Sequence, residues 1–183
     1  MSGGSSRPSR PPPRAPLAKG EPGALAPAPR TPRPLFRGDA RPVVTIEYLG
    51  FHLDQEEYAL PLPTVREILK VPTITEVPRA PVDVLGIISV RGTVVTLVDL
   101  RRRVGLPERP FDRRTRVLVV DRAGEQMGLV VDSVSEVVRL TRAQIEEAPA
   151  VVGAKHAELL AGVGRHGESM WVLLDLGAVL AGI

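Results

Sequence analysis

An internal duplication constrains the fold of this chain more than any other feature of its sequence. The segment YALPLPTVREILKVP, which begins at Tyr58, aligns without gaps on MGLVVDSVSEVVRLT, which begins at Met127. A second pair of blocks follows in the same order, because LVDL at 97–100 matches LLDL at 173–176. Two ordered blocks with matching acidic positions predict two copies of one small unit.

Each copy consists of short runs of Val, Ile and Leu that are separated by Gly, Pro and Asp. This pattern is typical of β strands joined by tight turns. Arg91-Gly92 and Arg122-Ala123-Gly124 have the character of hairpin turns, because glycine readily takes the positive φ that a tight reversal needs. The predicted strands are 43–53, 57–62, 74–77, 86–90, 93–98, 116–121, 126–131, 137–140, 160–165 and 169–174.

Helical signals are few. Thr64–Glu67 and Ser133–Glu136 both have capping-box spacing, so each predicts a single helical turn, which in the first copy places Val65, Ile68 and Leu69 on one side. The same spacing at Thr141–Gln144 predicts about two turns that end at Pro149. One copy of about 70 residues would bury only a marginal core, so we expect both copies to pack into one cooperative body.

The N-terminal segment differs in composition from the rest of the chain. Residues 1–42 contain 11 of the 19 prolines and a net charge of +6, which leaves residues 43–183 with −3 out of the formal total of +3. Such a segment buries too little apolar surface to offset its ordering entropy, so it is predicted to be disordered with polyproline II character. The folded domain is predicted at 43–183, with its halves meeting near 100–115 and with room for chain exchange between the lobes.

The sequence contains no recognisable catalytic or metal-binding motif. It has no cysteine, and its histidines, His52, His156 and His166, lack the paired spacing of a metal site. No phosphate-binding loop, nucleophile elbow or dinucleotide fingerprint is present. We therefore predict no enzyme activity, no metal and no cofactor. The lack of cysteine, of a secretory signal and of a long apolar run predicts a cytoplasmic protein.

Two groups of charged residues have predicted roles that depend on their neighbours in the sequence. Asp99 and Asp175 each follow an apolar run and precede a short segment that starts with leucine, so they are predicted to cap backbone N–H groups. The run Arg101-Arg102-Arg103 is interpreted as a solvated basic face or as one that meets an acidic protein partner. Base stacking is not favoured there, because Phe111 is the one aromatic residue nearby.

Three segments together resemble the CheW family of chemotaxis adaptors. They are YALPLPTVREILKVP, GIISVRGTVVTLVDLRRRVGLP at 86–107 and GLVVDSVSEVVRLTRAQIEEAP at 128–149, and the resemblance covers residues 43–183. It implies a mainly β fold of two SH3-like β-barrels with few short helices and an apolar groove between the lobes. It also implies a non-enzymatic adaptor that docks on the regulatory domain of a CheA-type histidine kinase and on the cytoplasmic tip of a chemoreceptor, in receptor arrays.

The resemblance also implies partner-binding residues. Glu67 and Arg91 match charged positions that the family uses at partner surfaces, although Glu67 could merely close its capping box and Arg91 could be a simple turn residue. Val65 and Val131 match groove or interface positions, but a β-rich core buries many valines, and core packing is the favoured interpretation of either one alone.

The sequence leaves two other functions open. The chain could be the adaptor of a chemosensory-like pathway that controls another output. It could instead be a small β-barrel protein that binds nucleic acid through its basic tail and the Arg101–Arg103 run. The net charge of −3 on residues 43–183 argues against the second, because nonspecific nucleic-acid binding needs clustered positive charge.

Overall fold

The computed structural model describes residue 13, residues 44–147 and residues 157–183. Predictions for the rest of the 1–42 tail, for Pro149 and for His156 lie outside these residues. The strands are β1 (Thr45–Leu53), β2 (Glu56–Pro61), β3 (Val65–Lys70), β4 (Val84–Val90), β5 (Thr93–Asp99), β6 (Arg116–Arg122), β7 (Glu125–Val131), β8 (Ser133–Thr141), β9 (Ile145–Glu147), β10 (Leu160–His166) and β11 (Ser169–Leu174). Two short helices, α1 (Leu100–Arg103) and α2 (Leu176–Val179), and the 3-10 turns Leu62–Thr64, Arg142–Gln144 and Ala157–Leu159 complete the described part.

The strands form two sheets. Lobe A has the order β8-β1-β2-β11-β10-β9, and lobe B has the order β3-β6-β7-β5-β4. Neighbouring strands are antiparallel except for β2 with β11 and β5 with β7, which are parallel. The predicted fold class, a mainly β chain with two SH3-like barrels, is confirmed. None of the helices in the described ranges is long and apolar enough to cross a bilayer.

The two sequence copies do not correspond to the two lobes. The series β1, β2, β3, β4, β5 and α1 in the first copy matches β6, β7, β8, β10, β11 and α2 in the second. The third strand of each copy pairs with the first strand of the other, since β3 pairs with β6 and β8 pairs with β1. Each sheet therefore contains strands from both copies, and neither copy can complete a sheet alone.

The duplication extends to backbone detail. A β-bulge precedes Gly86 where β4 pairs with β5, and another precedes Gly162 where β10 pairs with β11. A Cβ on Gly86 would overlap the carbonyl oxygen of Thr75, and a Cβ on Gly162 would overlap that of Glu146. Both glycines are required because a neighbouring backbone segment crosses directly over them.

Alternating side chains of the strands pack into three clusters. One lies between the lobes and includes residues of both sheets; its members include Leu49, Phe51, Leu53, Leu60, Val98, Leu118, Leu129 and Val131. The other two fill the barrels. Trp171 lies in the barrel of lobe A, and Val95 and Leu97 lie in the barrel of lobe B. The shared cluster joins the lobes by apolar burial, which is the dominant favourable term in folding.

The two helical turns predicted from capping-box spacing are wrong. Thr64 ends a 3-10 turn, and its hydroxyl donates to the carbonyl oxygen of Pro61 (2.7 Å), while β3 begins at the next residue. Ser133–Glu136 likewise lies in β8. A neighbouring strand offers a hydrogen-bond partner at every step of the ladder, whereas one isolated helical turn provides few bonds for its nucleation cost. Ile68 is consequently 43% exposed, while Leu69 packs in the barrel of lobe B.

Two further predictions need correction. The predicted strand 74–77 is wrong apart from one bridge between Thr75 and Ile87. The segment after Thr141 forms one 3-10 turn followed by β9, rather than two helical turns. The capping contact itself is present, because the backbone N–H of Thr141 donates to Oε1 of Gln144 (2.8 Å).

The predicted caps are confirmed. The Asp99 carboxylate accepts from the backbone N–H groups of Arg101 (2.9 Å) and Arg102 (3.4 Å) at the start of α1. The Asp175 carboxylate accepts from the N–H of Ala178 (2.9 Å) in α2. The equivalent aspartates of the two copies therefore both cap the N-terminus of a short helix.

The predicted basic face at Arg101–Arg103 is wrong, because these guanidinium groups bind inside the protein. Arg103 donates to Oδ2 of Asp83 (2.8 Å) and to the carbonyl oxygens of Val179 (2.7 Å) and Ala181. It thereby satisfies carbonyl groups at the end of α2, which have no partner within the helix. Arg101 and Arg103 thereby join the two halves of the duplication, while Arg102 pairs with Asp99 and Glu108.

Candidate functional site

A β-bulge in the edge strand β3 sets the direction of its side chains. Val65 lies opposite Val120 and Glu67 lies opposite Val119, so Arg66 is an extra residue with no partner of its own. Strict alternation would place Val65 and Glu67 on the same face, and one inserted residue reverses this. Val65 therefore packs against the shared core. Glu67 lies on the same face of the sheet as Val119, whose side chain belongs to the barrel cluster of lobe B.

The hairpin between β4 and β5 carries Arg91 at its turn. Arg91 has φ +50° and Gly92 has φ +84°, which is the left-handed pair that suits a two-residue hairpin. A non-glycine residue in this region is uncommon, and the arginine is held there by the pairing of the strands on both sides.

Glu67 and Arg91 form an ion pair joined by two hydrogen bonds. Nη2 of Arg91 donates to Oε1 of Glu67 (2.9 Å), and Nε donates to Oε2 (3.2 Å). The Arg91 side chain is 80% exposed and the Glu67 side chain is 30% exposed. The bidentate geometry gives the pair a defined orientation on the surface of lobe B.

The ion pair also shifts the pKa of both groups toward the charged forms. The hydrogen bonds from Arg91 lower the pKa of the Glu67 carboxyl below its usual value, and partial desolvation opposes this shift. The hydrogen bonds to Glu67 raise the pKa of Arg91. Because both groups contact solvent, water and salt screen the pair, and it contributes little to the free energy of folding. Its main effect is to fix the orientation of the two charged groups.

The two valines predicted for partner binding lie at different depths. Val65 is partly buried at the margin of the shared core, next to the bulge. Val131 is 1% exposed and is a full member of that core, at the end of β7. Val65 can contact a partner directly, whereas Val131 can influence the surface only through packing.

A second set of charges, away from the hairpin in the sequence, connects the two lobes. Arg101 in α1 has a side chain that is 8% exposed, and its Nη1 binds Oδ2 of Asp132, between β7 and β8. The same Asp132 oxygen accepts from the backbone N–H of Asp54 (2.8 Å), in the turn between β1 and β2. Nε of Arg101 donates to the carbonyl oxygen of Pro107 (2.8 Å). This arginine therefore joins the turn of lobe A to the strand that leaves lobe B.

The described residues contain no group of three His, Cys, Asp or Glu side chains placed to hold a metal ion. The charged groups near the hairpin are paired with one another and exposed. Their arrangement suits recognition of another surface, in which charges set register and orientation.

Part of this site was not predicted from the sequence. The sequence indicates Glu67 and Arg91 separately but does not predict them as partners, because the bulge at Arg66 leaves no mark in the residue pattern. The Arg101–Asp132 contact was missed as well. Its signal in the sequence is the position of the arginine two residues after the N-cap Asp99, in the first turn of a helix whose first residue, Leu100, is buried.

Comparison with known proteins adds independent information. The family model described as the CheW-like domain matches residues 47–183. The chain is 34% identical over 135 residues to the chemotaxis protein CheW of Klebsiella aerogenes, covering 74% of this chain and 81% of that protein. It is 30% identical over 135 residues to the chemotaxis protein CheW of Helicobacter pylori, again covering 74% and 81%.

A solved structure has the same fold. The scaffolding protein TtCheW from Thermoanaerobacter tengcongensis superposes with a TM-score of 0.70 at 29% sequence identity. The match covers 75% of this chain and 94% of that one, so it includes both lobes.

Proposed function

The chain belongs to the CheW-like domain family, and from this premise we propose that it is a non-enzymatic adaptor that couples chemoreceptors to a CheA-type histidine kinase. The observation that carries the proposal is the extent of the family match, which begins inside β1 and includes every later strand of both lobes. Relatives that match over most of their length are named as chemotaxis or scaffolding proteins. Such an adaptor acts in the cytoplasm, at receptor arrays.

The proposed partner surface includes both sides of the edge strand β3, with the Glu67–Arg91 pair on the side of Val119 and Val65 on the side of Val120. The pair provides charges in a set orientation, and Val65 provides apolar area at the margin of the shared core. Val131 lies in the shared core, opposite Arg116 in the register of β6 and β7, and would act on this surface only through core packing. A modest interface gains most from a few well-placed apolar contacts, while charges at its rim govern orientation and association rate.

The adaptor step is independent of the final output. A kinase that is coupled to receptors in this way can control swimming or another response, so the proposal concerns the assembly itself. The alternative of nucleic-acid binding has lost one of its two motives, because Arg101 and Arg103 are bound within the protein.

A sedimentation assay tests the proposal. Membranes that contain chemoreceptors from the same bacterium are pelleted with purified CheA-type kinase, with and without this protein. We expect the kinase to enter the pellet only when the protein is present, and the protein itself to pellet with the receptors. A kinase that stays in the supernatant in both cases would refute the adaptor role.

A further inference from the structure

A surface recess lies at the end of β3, where three basic side chains converge. It has a volume of about 330 Å³, and its lining includes Lys70, Arg113 and Arg116 together with Val71 and Phe111. Glu67 lies three residues before Lys70 on the same strand, at a distance of about 10 Å along it. The recess is thus separate from the Glu67–Arg91 pair.

The basic groups of the recess lack a balancing carboxylate. Lys70 lies directly opposite Arg116 on the neighbouring strand, and like charges at such a position destabilise a sheet. Within residues 44–147 and 157–183, neither Lys70 nor Arg113 forms an ion pair. Among the same residues, the guanidinium of Arg116 donates to the carbonyl oxygens of Arg113 and Thr115, both at 2.8 Å.

The one acid in the lining is already occupied. The Asp112 carboxylate accepts from the backbone N–H groups of Arg114 (2.6 Å) and Thr115 (3.1 Å), and it pairs with Arg109 (3.2 Å). The hydrogen bond from Arg114 is the main cause that lowers its pKa, so this carboxyl is charged and held in its loop. Three cations and one committed carboxylate leave the lining with a net charge of +2.

An apolar surface lies beside these cations. Phe111 is 43% exposed, whereas the other described aromatic side chains, Tyr48, Phe51, Tyr58 and Trp171, are all buried. Val71 lines the same recess. A large exposed apolar side chain bordered by polar groups is typical of a contact site.

We propose that this recess binds an acidic peptide segment of a partner protein, in which carboxylates flank one apolar side chain. The carboxylates would lie between Lys70, Arg113 and Arg116, and would relieve the repulsion between the opposed Lys70 and Arg116. Guanidinium groups suit this ligand because their planar donors match a carboxylate in two places. The apolar side chain would cover Phe111 and Val71.

The shape and charge of the surroundings favour a short peptide over a nucleic acid. A single-stranded nucleic acid follows an extended basic groove and stacks successive bases on several aromatic rings, whereas this recess has one ring. Residues 43–183 carry a net charge of −3, which would repel a long polyanion beyond the recess.

The test measures binding of two fluorescein-labelled peptides to the full chain at physiological salt. The probe is acetyl-Glu-Asp-Leu-Asp-Glu-amide, and the control is the neutral acetyl-Gln-Asn-Leu-Asn-Gln-amide. We expect the acidic probe alone to bind, and we expect Lys70→Glu and Arg113→Glu each to weaken it about tenfold or more. Arg142→Glu, which reverses an exposed arginine in the turn before β9, is the matched charge control and should leave binding unchanged.

Thermal unfolding separates binding from folding. Lys70→Glu replaces a repulsive cross-strand pair with an attractive one, so the variant should unfold about 1 to 3 °C higher than the parent while it loses the probe. Equal weakening by Arg142→Glu, unchanged binding in both recess variants, or preferential binding of a single-stranded oligonucleotide that these variants abolish would each overturn the proposal. None of these outcomes depends on the kinase or receptor assay.

Discussion

Glu67 and Arg91, which are 24 residues apart in the sequence, form a two-bond ion pair on the surface of lobe B. The pair leaves Nη1 of Arg91 without an acceptor among the described residues, and the arginine side chain is 80% exposed. A partner therefore meets an oriented guanidinium whose position is held by Glu67. This relationship allows the roles of the two residues to be separated by experiment.

The first prediction concerns reversal of the pair. Arg91→Glu should keep the fold, because the side chain is exposed, and should weaken recruitment of kinase to receptor by placing two carboxylates together. The double variant Glu67→Arg with Arg91→Glu restores an ion pair of opposite polarity. We expect it to recover the unfolding temperature but not recruitment in the sedimentation assay. A partner surface that is complementary to the cation at position 91 would still meet a carboxylate there.

A matched control exists in lobe A, where Arg165 pairs with Glu146 on the surface (3.0 Å). Arg165→Glu should leave kinase recruitment unchanged. Full recruitment by the double variant would instead assign the Glu67–Arg91 pair a purely structural role.

The second prediction concerns the arginine between the lobes. Arg101→Met removes the cation from a site where its side chain is 8% exposed, and it leaves Asp132 with the backbone N–H of Asp54 and a long contact to Arg109 (3.9 Å). We expect the free energy of unfolding in urea to fall by roughly 3 kcal/mol, because removing one member of a buried ion pair leaves the other charge buried without its main partner. Arg66→Met, which removes the exposed pair with Asp121, should cost less than about 1 kcal/mol. Equal losses in both variants would contradict the role of Arg101.

The third prediction uses the two copies of the helix cap. Asp99→Ala and Asp175→Ala each remove a carboxylate that accepts from backbone N–H groups of a short helix. We expect each to lower the free energy of unfolding by about 1 kcal/mol, as for other N-cap replacements. Asp99→Asn keeps an oxygen acceptor and should lose less than Asp99→Ala. Urea titration of the three variants compares them directly.

The fourth prediction concerns pH. Burial raises the pKa of the Asp99 carboxyl above its ordinary value of 3.8, against the opposing effects of backbone N–H groups and nearby arginines. Between the pKa of Asp99 in the unfolded state and its higher pKa in the native state, the native state binds more protons at this group. The contribution of Asp99 to stability therefore falls as pH rises through that interval. In Asp99→Asn this decrease should be absent. A parallel pH dependence in parent and variant, measured by urea unfolding from pH 3.5 to 6, would show that Asp99 contributes nothing to it.

The fifth prediction concerns the glycines at the two equivalent bulges. Gly86→Ala and Gly162→Ala would each press a methyl group into a crossing backbone carbonyl. Gly86 also has φ +142°, where an alanine is strained whatever the space, while Gly162 has no such constraint. Both variants should unfold at lower temperature, and Gly86→Ala should be the more damaged of the two. Gly124→Ala has no neighbour to meet and provides a control for the cost of a left-handed turn alone.

Sequence reasoning succeeded where one stretch of chain determines the outcome. Most strands followed from short apolar runs, and the caps at Asp99 and Asp175 followed from the residue type next to a helix start. It failed at Thr64–Glu67 and Ser133–Glu136, where local capping-box spacing was overridden by strand partners that are distant in the sequence.

The sequence by itself determined the duplicated β unit, its turns and its local caps, because these depend on residues within a few positions of one another. Only the tertiary structure decided that the third strand of each copy pairs with the first strand of the other, that the bulge at Arg66 points Glu67 toward Arg91, and that Arg101 is buried against Asp132. A one-residue register shift moves every later side chain to the opposite face of a sheet. The contacts of β3 were therefore set by its pairing with β6, and no local pattern in the chain specifies that pairing.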